Sequence, residues 1–368
     1  MTSSLSAPPA EPEANLADFD FVVEKVTANY AGYENKVTDG NRQELAALTS
    51  ELRAKAELTP YLELLGMLQR WLSFFRDRHL RINVNQATVT EERVADFAKR
   101  MGMPITKDEI SRIFSRMQAG VTREQPALRR LSPATLLIRI PDFHRQHAAL
   151  LKSLLETHAS ELDSTPNLII DVRRNAGGSD RVYKPLIPLL YTHPIYTIGV
   201  ELRASADNIA LRQAFAASIK DDPDLAAEIE EQNRRMADNI SGYVPAHLKP
   251  LWVSRRDTVR AFPKHVAILI DGAASSGEQF LLEARQSRKV TLFGQRNSAG
   301  MLDFANVNSM DSPSGRFTLW WGTSRSLRLP DDPVDPDGIP PDVRIPDDTK
   351  DPVKFAQRWL ERRAKLPA

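Results

Sequence analysis

The chain has 368 residues, with 49 Lys and Arg against 48 Asp and Glu, and no cysteine. That length supports a large core and two or three structural units, at roughly 150 residues per domain. Missing thiols exclude cysteine catalysis, thiolate metal sites and disulfides, and scattered Arg pairs within a net charge of +1 exclude a basic field for nucleic acid. No stretch approaches ~18 uninterrupted apolar residues, so no membrane span is expected. Residues 1–15, rich in Pro, Ser, Ala and Glu, lack the basic and apolar regions of a signal peptide. They read as a disordered leader, or as the linker left by an upstream signal or anchor.

Phe19, Val22, Val23, Val26 and Tyr30 recur at helical spacing. Gln43 to Leu58 reads as a second helix. A third starts at Thr59-Pro60, a cap followed by proline, with Leu62, Leu65, Leu68, Leu72 and Phe75 on one face. Residues 16–85 therefore form a helical bundle, and 86–132 a polar helical connector. Ala134 to Pro141 is a strand, followed by a helix near 145–162 and a buried strand at 167–172. The alternation to residue 300 makes the core α/β, spanning 133–350. An insertion at about 195–262 carries two helical stretches split by Asp221-Asp222-Pro223-Asp224, and is expected to form a helical cap. Its charge run Glu228 to Arg235 reads as a solvated helix face or as part of a lid. After a strand at Arg316 to Trp321 and a Pro/Asp-rich loop, residues 351–368 form a C-terminal helix.

Two strands end in permissive turns. Asn167 to Val172 leads into Arg173-Arg174-Asn175-Ala176-Gly177-Gly178, where glycine N–H groups can approach a ligand. Lys264 to Ile270 leads into Asp271-Gly-Ala-Ala-Ser275-Ser276-Gly-Glu278, a hydroxyl at a helix start. Ser275 and Glu278 also fit a capping box, the structural alternative. Together the turns suggest a nucleophile, Ser275, beside oxyanion donors Gly177, Gly178 and Ser276. Asp171 is read as pairing with Arg173 or capping its turn. His144 and His147 share a helix face, but no third ligand is suggested, so no metal site is assigned.

These segments resemble the S41 serine peptidases. The likeness rests on Asp77-Arg78-His79, the Asp171-x-Arg173-x-Asn175-x-Gly177-Gly178 turn, Ala-Ser275-Ser-Gly-Glu278, Gly294 to Gly300, and Gly338-Ile-Pro-Pro-Asp342. Tail-specific members place a catalytic lysine downstream of the serine; here Ala299-Gly300-Met301 stands there, and 86–132 is too short for a PDZ module. The chain is closer to the branch of tricorn and the nisin resistance protein, which implies His79 as base and Asp335, where that branch has a glutamate, as third member.

The resemblance further implies a crotonase- or ClpP-like spiral core and a serine endopeptidase acting on extended peptide or protein substrates. It implies no cofactor. Glu278, Asp171 and Arg173 support the site. The alternative is a silent S41-like module that binds hydrophobic ligands or peptides. An extracytoplasmic location is implied, or a cytoplasmic one if the written N-terminus is complete; the sequence leaves the oligomeric state open.

Overall fold

The computed structural model describes residues 11–106, 108–112 and 124–363. The chain is mixed α/β and divides into two compact units. One comprises 1–121, 200–246 and 304–325; the other comprises 122–199, 247–303 and 326–368.

In the first unit, helices Glu11–Asn29, Arg42–Ala56 and Tyr61–Ser73 pack together. The expected leader lies outside the described residues over 1–10, and 11–15 are already helical. Pro60, not Thr59, precedes the third helix, because the Thr59 hydroxyl donates back to Lys55 O at 2.7 Å. That helix buries Tyr61, Leu64, Leu68, Trp71 and Leu72, so its core face is rotated away from Leu62 and Leu65. The aromatic rings supply the area that a count of leucines overlooked. Strands Arg81–Val84, Phe317–Ser326, Val200–Arg203 and Tyr243–Pro245 form a sheet in that order, and Phe304–Asp311 pairs with Phe317–Ser326.

The insertion is therefore not a purely helical cap. Its helices Ala206–Ser218 and Pro223–Ala237 pack on each other, but its flanks are strands. Asn208 packs it within the first unit, donating to Asn29 O and accepting from Trp321 Nε1 at 2.9 Å each. Polar spacing within the insertion carried no signal for such distant pairing.

The second unit is built on six strands in the order Val343–Arg344, Val290–Gly294, His265–Leu269, Asn167–Asp171, Thr135–Arg139 and Ala127–Ser132. All neighbours are parallel except the last two, which form a hairpin. Ala127–Ser132 corrects the expected helical connector, which is helical at Glu91–Arg100. As a half-exposed edge strand with Arg129 and Arg130, it shows no apolar alternation to read. The central strands bury both faces, as their continuous apolar sequences demand. Leu136, Ile138, Leu168, Ile170, Val266 and Ile268 enter one core. Leu137, Ile169, Ala267, Leu269 and Phe293 meet Ala356 and Leu360 of helix Pro352–Arg363 on the other face.

Candidate active site

Neighbouring strands Asn167–Asp171 and His265–Leu269 run parallel, so their following turns emerge at the same carboxyl end, where open α/β sheets place ligands. Ser275 sits just before helix Ser276–Ala284 with φ +55° and ψ −120°. A non-glycine residue there costs on the order of 1–3 kcal/mol and persists only under strong restraint. The restraints are visible. Ala274 N–H donates to Asn175 O at 2.9 Å, and Ala299 N–H to Ala273 O at 2.8 Å. Ser275 N–H donates to Glu278 Oε2 at 3.1 Å, the return half of the capping box.

Glu278 does much more than cap. Fully buried, it accepts four hydrogen bonds: from Ser275 N–H, Ser298 Oγ at 2.6 Å, Gly300 N–H at 2.7 Å and Met301 N–H at 2.8 Å. Burial pushes its carboxyl above the usual range, against the opposing pull of those donors. The turn at Ala299-Gly300-Met301 thus holds a carboxylate, which accounts for its backbone geometry without any lysine.

The glycine turn is pressed against the serine. Gly177 has φ +80°, and a Cβ there would lie 2.7 Å from Ser275 Cβ and 2.8 Å from Ala274 O. Its N–H, however, already donates to Asn175 Oδ1 at 2.8 Å. In this structure, therefore, the Gly177 N–H expected to meet an oxyanion is already bonded, and what Gly177 shows is close approach to the serine. Gly178, at φ +143°, is solvent-exposed and makes no N–H bond among the described backbone pairs. Ser276 opens a helix, where the first N–H groups lack intrahelical partners. Asn175, quoted in the motif without a role, is fully buried; it links Gly177 to Ile140 O through its side chain and to Ala274 through its carbonyl. The signal that could have found it is an amide just before a tight glycine turn.

Asp171 and Arg173 form a two-pronged ion pair at 2.9 and 2.8 Å, and Arg173 N–H also donates to Asp171 Oδ1. The pair shapes the start of the glycine turn. Asp335 is half-buried; its Oδ1 accepts from Leu302 N–H at 2.6 Å, and its N–H donates to Asp303 Oδ2 at 2.8 Å.

His79 lies in the first unit, between helix Tyr61–Ser73 and strand Arg81–Val84. It is buried, and its N–H donates to Asp77 Oδ1 at 2.7 Å while Tyr30 Oη donates to Asp77 Oδ2 at 2.6 Å. Its Nδ1 is buried with no hydrogen-bond partner. Burial lowers its pKa, opposed by the charge of Asp77, so the imidazole is neutral and able to accept a proton at neutral pH.

No group of three or more His, Asp or Glu suited to a metal occurs among the described residues. Nor is any described helix long and apolar enough to cross a membrane. An open cavity of about 960 Å³ lies in the first unit, lined by polar residues such as Asn35, Glu51 and Arg70 and by apolar ones such as Leu48, Phe74 and Phe75.

The second unit is thus a parallel α/β core that carries a strained serine and a glycine turn at one sheet end. The sequence profile of peptidase family S41 matches residues 134–345, more than half of the chain, and the chain belongs to that family. No curated protein matches it in sequence. Among solved structures it is similar to mature CPAF complexed with lactacystin, with a TM-score of 0.61, 13% identity, and 96% of this chain and 98% of that chain covered. A putative peptidase from Parabacteroides merdae ATCC 43184 matches with a TM-score of 0.57 and 15% identity, covering 96% and 97%. At such identities these likenesses show the fold alone.

Proposed function

We propose that the chain is a serine endopeptidase with Ser275 as nucleophile and His79 as base. The observation that carries this reading is Ser275 itself, held at positive φ at a helix start with a glycine turn against its Cβ. Nothing in packing alone calls for strain at that position. In the proposed reaction Ser275 Oγ attacks the substrate carbonyl carbon while its proton passes to His79. The carbonyl oxygen becomes an oxyanion held by the N–H groups of Gly178 and Ser276. The tetrahedral species collapses as the C–N bond breaks and His79 returns the proton to the leaving amine. Water, deprotonated by His79, then attacks the acyl carbon, and His79 returns that proton to Ser275 Oγ as the ester C–O bond breaks and the acid product leaves. Asp335 is assigned the orienting role, as in the branch the sequence resembles. Substrate is proposed to bind as an extended strand, with backbone hydrogen bonds giving affinity and side-chain pockets giving selectivity.

The test is labelling by a serine-reactive phosphonate, with the modified peptide identified by mass. Label on Ser275 in the wild type, absent in a folded Ser275→Ala variant, is the expected result. Label on Ser276 with Ser275→Ala still active would displace the nucleophile by one residue.

A further inference from the structure

One buried pair in the second unit has no part in that reaction. His147 Nδ1 lies 2.8 Å from Asp142 Oδ1, and both residues are buried. The same Asp142 oxygen accepts His144 N–H at 2.9 Å, and His147 N–H donates to His144 O at 2.8 Å. These bonds close the loop 142–147 from both ends. Facing a carboxylate, the imidazole must carry its proton on Nδ1 and donate.

Phe143 is the residue that this loop fixes. Its N–H donates to Gly177 O at 2.8 Å, and its carbonyl accepts Ser179 N–H at 2.9 Å, bracketing Gly178. The approach is so close that a Cβ on Gly178 would fall 2.2 Å from Phe143 O. The Phe143 ring is fully buried against Tyr183 and Phe280, the latter on the helix that begins at Ser276. The ring contacts set where Phe143 sits. The peptide group that joins Phe143 to His144 is held separately, by the clamp of its N–H bond to Asp142 Oδ1. Burying an imidazole and a carboxylate is costly unless both are bonded, so this clamp is an expensive way to fill space. An apolar pair would fill the same volume without orienting the backbone.

We infer that Asp142 and His147 are positioning residues that aim the Gly178 N–H, through Phe143, at the oxyanion of the proposed peptidase reaction. The inference rests on the peptidase reading for its chemistry and on hydrogen bonds alone for its geometry. A misplaced donor acts on the transition state more than on bound substrate, so the effect belongs in kcat.

The experiment compares His147→Leu with His147→Asn, whose amide can still donate to Asp142. Peptide turnover is measured alongside amide hydrogen exchange of residues 177–179 by mass spectrometry on the full chain. His147→Leu should lower kcat by roughly tenfold to a hundredfold with KM changed less than about threefold, the pattern of a displaced donor. It should also speed exchange in the glycine turn while strand Asn167–Asp171 stays protected. His147→Asn should recover most of both. Unchanged kcat in His147→Leu, equal losses in the two variants, or unaltered turn exchange would overturn the inference. If the wild type proves inactive the peptidase reading fails first, and the exchange measurement alone decides whether the clamp holds the turn.

Discussion

The turn carrying Ser275 and the segment carrying His79 are held in different ways. Around Ser275, a carboxylate with four donors, the Asn175 carbonyl and the Ala273 carbonyl converge within one compact unit. Around His79, the backbone is fixed by one carboxylate, Asp77, itself steadied by Tyr30, and one ring nitrogen has no partner. On the proposed reading, preorganisation is concentrated where strain is stored and where the oxyanion would be met. The proposed base would need less: a neutral ring, a defined backbone and a ring nitrogen with no hydrogen-bond partner.

The largest effect expected from this contrast is at the base. His79→Ala should lower kcat by roughly a thousandfold or more, as removal of a general base does, while thermal unfolding shows the fold retained. Turnover near wild type would show that the contrast had been drawn with the wrong second residue. Next comes Glu278→Gln. All four of its neighbours are donors in the structure, so an amide would point N–H groups at N–H or O–H groups. Each donor left unmatched costs about 1–3 kcal/mol, and release of Ser275 should reduce kcat by roughly tenfold or more. A variant as stable and active as wild type would mean that the four bonds do not hold the strained turn.

The parts that were legible in the sequence are those whose signal is local. Leu168 to Ile170 and Val266 to Leu269 announce two-sided burial by composition, and the Gly177-Gly178 and Ser275 turns stand directly after them. What escaped depends on partners far along the chain. The Gly177 N–H is taken by a side chain only two residues away, yet that bond matters because Asn175 also meets Ile140 and Ala274. Ala127–Ser132 is a strand only because Thr135–Arg139 stands beside it, and Arg129 with Arg130 hides that. His144 and His147 looked alike by spacing, but only His147 has Asp142 within reach of its ring. Periodicity reports which face is buried; it does not report which buried group finds which partner.

The smallest effect sharpens the weaker side of the comparison. In Asp77→Asn the side-chain oxygen can still accept the His79 N–H, and Tyr30 can still bond the altered side chain, so the backbone should stay in place. What disappears is the negative charge, which raises the His79 pKa against the lowering by burial. Without it the imidazolium is less favoured, so the pKa must fall further. A general base works only when deprotonated, so wild-type kcat/KM should rise with pH along an acid limb below the ordinary histidine range. In Asp77→Asn that limb should move to still lower pH, and the plateau should drop by only about threefold, near the value of one hydrogen bond weakened by loss of charge. The measurement is a pH profile of kcat/KM on a small ester and on a peptide. An unmoved limb would show that the titrating group is not the imidazole beside Asp77, and a limb moved to higher pH would contradict the sign of that electrostatic coupling.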